Sequence, residues 1–166
     1  MKKAIHIILV LFGVISISCQ KKSVPVQSSG IKMFSEQQIP NTYSLDGKNY
    51  SATIAGKGTY ISPDSNFHIL IVEDARGSGL QFWFPKNPIP GNYSVNQMGA
   101  GSSNGVWVYY NSSEESGHDY YSLTRGNVTV STDNNGNINL SVENLIMQQF
   151  YSSNVVYLNA TKLVIP

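Results

Sequence analysis

From residue 43 onward the chain is a succession of short runs in which aromatic or β-branched residues alternate with polar ones, broken at close intervals by Gly, Asn, Pro and Ser. Alternation with a period of two puts successive side chains on opposite faces of a strand, and no stretch sustains the 3.6-residue period of an amphipathic helix. The pattern predicts strands at about 43–46, 49–55, 58–62, 67–73, 79–84, 92–96, 105–111, 119–132, 137–150 and 155–165, the long 119–132 and 137–150 runs being bent or broken. The fold expected is all-β: an antiparallel sandwich of two packed sheets, with a small lipocalin-like barrel as the alternative.

One register can be argued in detail. Val128, Val130 and Thr132 alternate on one arm of a hairpin, and Ile138, Leu140 and Val142 on the other. Setting Val130 opposite Leu140 and Val128 opposite Val142 keeps one face apolar, whereas a two-residue Asn-Gly loop would put the faces out of phase. The loop is then Asn134-Asn135-Gly136, and Gly136 supplies the left-handed residue that a three-residue loop needs at its end. The same Asp133-to-Asn137 stretch has the composition of a calcium loop, but an EF-hand needs flanking helices and an acid at its twelfth position, which here is Asn144.

Phe67-His68-Ile69-Leu70-Ile71-Val72 is apolar on both faces except at His68, which predicts a central strand covered on each side. Pro85, Pro88 and Pro90 then forbid a regular central strand and mark a crossing between sheets or an edge. Around them lie the best candidates for a binding surface. Leu80, Phe82 and Phe84 share one strand face with Gln81 and Trp83 on the other, and Trp107 and Tyr109 oppose Val106, Val108 and Tyr110. If the Val and Phe faces form the core, Trp83, Trp107 and Tyr109 point outward and form a stacking platform for a glycan or protein ligand.

The first residues follow a different pattern. Lys2 and Lys3 precede an apolar run over residues 4–17 that reaches roughly 21 Å as a helix, against about 30 Å of bilayer hydrocarbon, so it reads as a secretory signal rather than a span. Ser16-Ile17-Ser18-Cys19 resembles a bacterial lipobox, with Ser16 in place of the usual Leu. The resemblance implies that Cys19 is lipidated and becomes the amino terminus. At about 0.8 kcal/mol per buried CH₂, more than one acyl chain gives stable membrane residence. Gln20 after the cysteine is similar to lipoproteins sorted to the outer membrane, on its periplasmic or surface face. The expected organisation is a signal peptide at 1–18, a lipidated Cys19 with a Ser/Pro-rich tether to residue 41, and one β domain over 42–166.

Composition narrows the partners. Cys19 is the one cysteine, so an internal disulfide is excluded. Without Lys2 and Lys3 the chain carries 9 basic against 10 acidic side chains, and no nucleic-acid partner is expected. Charged residues are only 13% of the chain, which suits strands and turns better than helices. Gly101-Ser102-Ser103-Asn104-Gly105 satisfies the G-x-S-x-G pattern, yet a strand rather than a helix follows it, so it reads as a loop. Glu114, Glu115, His118 and Asp119 have metal-ligand chemistry but sit among Ser and Gly, as an exposed turn does. No catalytic residue, metal or cofactor is assigned.

Leu45-Asp46-Gly47-Lys48-Asn49-Tyr50-Ser51-Ala52, Ile89-Pro90-Gly91-Asn92-Tyr93 and Gly126-Asn127-Val128-Thr129-Val130 together resemble small β-rich lipoproteins of the Gram-negative outer envelope, a group whose domain has no known function. The group's usual Gly-Thr-Phe-like segment after the hairpin is replaced by Asn139-Leu140-Ser141-Val142. The resemblance implies a lipid anchor and a β fold and transfers no active site. The function expected is a non-catalytic, membrane-anchored binding or structural module of the cell envelope. The alternatives are an envelope hydrolase built on His68 or the His118 region, and a lipocalin-like carrier of a small apolar ligand.

Overall fold

A computed structural model of the protein describes residues 30–61, 66–96, 105–113, 119–123 and 126–166. Its elements are β1 (Gly30–Leu45), β2 (Lys48–Ile61), β3 (Asn66–Glu73), β4 (Gly79–Phe84), β5 (Gly91–Val95), β6 (Gly105–Asn111), β7 (Tyr120–Ser122), β8 (Asn127–Thr132), β9 (Ile138–Gln149) and β10 (Val155–Ile165). The strands hydrogen-bond in the order β1-β2-β3-β4-β6-β5-β8-β9-β10, and β10 returns to β1 through Ser44 opposite Asn159 and Leu45 opposite Leu158. The sheet therefore closes on itself as a nine-strand barrel, with β7 as a short tenth strand between β6 and β9.

This overturns the expected two-sheet sandwich and favours the barrel alternative. Period-two alternation describes one buried and one outer face, which both architectures have. What separates them is whether the outermost strands find each other, and here β10 pairs with β9 on one side and β1 on the other. Closure covers the sheet edge where β10 meets Ser44 and Leu45 of β1, while residues 30–38 of β1 pair with β2.

The closing seam uses a side chain as backbone. Between Gln38 and Asn41 the β1 register slips around Pro40, which has no N–H to donate. Asn41, only 3% exposed, takes over: its Nδ2 donates to the Val164 carbonyl at 3.1 Å and its Oδ1 accepts from the Val164 N–H at 2.6 Å. The carboxamide thus stands in for a peptide group in the β1–β10 ladder. Residues 30–41, read from sequence as tether, are instead strand paired to β2. Their exposed Glu36, Gln37 and Gln38 carry no apolar alternation, so pairing here rests on backbone bonds that the side-chain pattern does not announce.

Inside the barrel, Val72, Leu80, Phe82, Phe84, Leu140, Leu145, Met147, Leu158 and Leu163 are each within 1% of complete burial. Each such Leu or Phe contributes roughly 1.5–3 kcal/mol relative to exposure. Towards the β1–β2 turn, Tyr43 stacks on Tyr50 (5.5 Å, 7°) and meets Tyr110 edge-on at 6.3 Å. The β8–β9 hairpin has the register argued above, Val130 opposite Leu140 and Val128 opposite Val142, and Gly136 has φ +82°. The run at 119–132 breaks into β7 and β8. Ser122, 1% exposed, closes the resulting gap: its Oγ accepts from Val108 N–H at 3.0 Å and donates to the Asn96 carbonyl at 3.2 Å. Residues 85–90 carry the chain from β4 past β6 to β5, a crossing within one closed sheet rather than between two.

Candidate functional site

The barrel wall formed by β3, β4 and β6 is apolar on both sides. Leu80, Phe82, Phe84, Val106, Val108 and Tyr110 belong to the interior core, and the residues alternating with them face the other way. Trp83 lies directly opposite Trp107, and Gln81 opposite Tyr109. All three predicted platform residues, Trp83, Trp107 and Tyr109, therefore share the outer face and are half-buried. On β3, Ile69 and Ile71 continue that face inward of the rings and are themselves buried, which is why β3 reads as apolar on both sides.

What the alternation pattern missed is the company these residues keep. Phe67 packs 4.6 Å from Trp107 and 6.0 Å from Trp83, and Tyr60 lies 5.2 Å from Trp83. On the other flank Phe150, just beyond β9, packs 5.8 Å from Tyr109 and 4.8 Å from Tyr121. Between the two ring groups is a cleft of about 280 Å³ lined by Gln81, Trp83, Trp107, Tyr109, Tyr121 and Phe150. The flat platform expected from sequence is thus a walled cleft. Tyr121 and Phe150 come from elements whose place beside β6 depends on the β6–β7 and β7–β9 pairings, which no local pattern encodes.

The polar ends of the lining are tied to one another. Trp83 Nε1 donates to Gln81 Oε1 at 3.2 Å, and Gln81 Nε2 donates to Glu73 Oε1 at 3.4 Å. Burial pushes the Glu73 carboxyl up from its ordinary value, against the opposing pull of the Gln81 bond. The Tyr109 phenol is pushed up to about 12 by burial first, then by the charge of Asp119 and by its hydrogen bond to that carboxylate. Asp119 is held in place by the Ser112 N–H at 3.0 Å. With these groups paired, the cleft presents mainly ring surface.

The other sequence candidates do not assemble around it. His68 stands on β3 opposite Thr59 and Phe84, and among the described residues no group of three or more His, Cys, Asp and Glu side chains gathers. The Asp133–Asn137 stretch is a hairpin turn in which the Asp133 carboxylate accepts from the Asn135 and Asn137 N–H groups, each at 2.9 Å. Cys19, residues 101–104 and residues 114–118 lie outside the described residues. A second, larger depression of about 980 Å³ lies across β1, β2, β5, β8, β9 and β10 and is lined mostly by Asn, Ser and Thr.

Comparison with protein-family models, with curated proteins and with solved structures finds no match.

Proposed function

We propose that the chain is a non-catalytic ligand-binding barrel, tethered to a membrane through Cys19, that takes a small, largely apolar ligand bearing a flat ring in the cleft between Trp83, Trp107 and Phe150. The observation that carries this reading is the cross-strand Trp83–Trp107 pair facing away from the core, with a second ring group of Tyr109, Tyr121 and Phe150 beside it. Half-buried ring faces that line a cleft accept another planar group at little cost in side-chain entropy. A closed barrel is a scaffold compatible with a carrier of small ligands, but the lipocalin arrangement puts the ligand inside. Here large apolar side chains occupy the interior, and the cleft is in the outer wall.

A neutral fluorescent naphthylamine such as N-phenyl-1-naphthylamine tests this. Binding is expected to be saturable, to quench tryptophan emission, and to weaken by about tenfold or more in Trp107→Ala, equivalent to about 1.4 kcal/mol. Absence of saturable binding, or wild-type affinity retained in both Trp107→Ala and Phe150→Ala, overturns the cleft as a site.

A further inference from the structure

We infer that the opposite wall of the barrel is a second binding site, for a neutral oligosaccharide. The depression there, about 980 Å³, is at the upper end of the range for small-molecule sites, about 300–1,000 Å³. The core residues Tyr43, Val142 and Ala160 are part of its lining, but most of the lining side chains alternate with core positions and project from the outer face of the strands. They form two cross-strand rows. Asn92, Thr129 and Ser141 lie side by side on β5, β8 and β9, while Asn159, Ser44 and Asn49 lie side by side on β10, β1 and β2. The stacked Tyr43–Tyr50 pair also lines the depression.

The chemistry of this lining selects among ligands. Glu143 is the one ionisable acid, and no Lys or Arg is among the described residues that line it, so phosphate, sulfate and polyanions find no counter-charge. Glu143 alone leaves most of a divalent cation's charge unbalanced, so the neutral amide and hydroxyl oxygens beside it do not by themselves favour a cation. The apolar surface a lipid needs is limited to Tyr43, Tyr50, Val142 and Ala160, of which Tyr43, Val142 and Ala160 are buried. What remains is a dense array of amides and hydroxyls, which both donate and accept. Asn92 and Thr129 already share a bond of 2.8 Å, and Asn159 holds the Asn144 N–H at 2.7 Å. The side chains of Asn49, Ser51, Asn127 and Ser141 make no hydrogen bond among the described residues. A polyol that carries paired donors and acceptors and no charge matches that set. Because each sugar–protein bond replaces one to water, affinity is modest and several side chains must act together.

The test uses the full-length protein in a detergent without a sugar headgroup. Calorimetric titrations are run with cello-, xylo-, malto- and manno-hexaose, and with heparin and polygalacturonate as anionic controls. At least one neutral hexaose is expected to bind saturably. Affinity should change less than about twofold as salt rises from about 50 to about 500 mM, because no ion pair is formed. The double substitution of Asn127→Ala with Ser141→Ala is expected to weaken binding by about tenfold. Asn49→Ala with Ser51→Ala, on the other row, is an independent second pair should the first fail to fold. Trp107→Ala is expected to leave saccharide binding unchanged, which separates this site from the aromatic cleft. No saturation by any neutral hexaose up to about 10 mM, binding of the anionic controls alone, or full affinity in a folded double variant overturns the proposal.

Discussion

Tyr109 shows how one side chain serves two ends. Its ring faces the cleft beside Phe150, and its hydroxyl is drawn back to Asp119, so ring and polar tip are separated by packing. Burial, then Asp119, raises its ionisation from near 10 to about 12. A phenol whose folded value is raised stabilises the fold fully below the unfolded value and loses that contribution as pH rises from about 10 to about 12. In an ultraviolet absorbance titration, Tyr109→Phe is expected to remove one late-titrating phenol. Asp119→Asn should move that phenol part of the way back, since burial remains. A Tyr109 titrating at the ordinary value would mean that neither burial nor Asp119 acts on its phenol. At the same scale Gly79 explains a close approach: a Cβ there would lie 2.6 Å from Glu73 Cα and against the Val72 carbonyl oxygen, so the first residue of β4 must be bare. The outward direction of Trp83, Trp107 and Tyr109 could be read from alternation with Phe82 and Val108. Their neighbours Phe67 and Phe150 could not, since those contacts join residues far apart in the chain.

Among the elements, the β8–β9 hairpin is the most self-contained. Its register follows from matching two apolar faces across a loop of fixed length, and both constraints are local. Asp133 adds a third: its carboxylate accepts two backbone N–H bonds and one from Asn137 Nδ2 at 3.0 Å. These bonds, the Asn137 side chain first, hold the carboxyl below its ordinary value. A depressed folded value means the contribution is complete above the ordinary carboxylate value, about 4, and fades as pH falls through the folded one. Wild type should therefore exceed Asp133→Asn in urea midpoint near about pH 6, and the gap should narrow towards about pH 2. A gap that does not change with pH would show that the charge contributes nothing. By contrast β1 was half hidden. Its residues 42–45 carry the alternation of Tyr43 and Leu45, whereas the strand over residues 30–38 is defined by its pairing with β2.

For the molecule as a whole, closure decides what is inside and what can be a site. Because β10 meets β1, Leu158, Leu163 and Ile165 enter the same core as Phe82 and Val106, and the two depressions fall on different walls. The anchor belongs to this scale too. If acyl chains on Cys19 hold the barrel at a membrane, cells fed radiolabelled palmitate should yield labelled protein in the membrane fraction. Cys19→Ser should be unlabelled and extract into plain buffer. Wild-type protein that is unlabelled and freely extractable would remove the lipoprotein reading without bearing on the two proposed barrel sites.

Local chemistry was enough to establish that the domain is built of strands, which face of each strand is apolar, and how the hairpin at Asp133–Asn137 turns. Those properties depend on side-chain period and on the backbone freedom of single residues such as Gly136. Whether the ribbon of strands splits into two sheets or closes into one ring, and which distant rings wall the tryptophan pair, depends on pairings between strands remote in the chain. The energy of those pairings lies in backbone hydrogen bonds that every residue but proline can make, so composition carries no mark of them. At Asn41 the closure left a side-chain trace, and its meaning as a substitute peptide group appears only once Val164 is beside it.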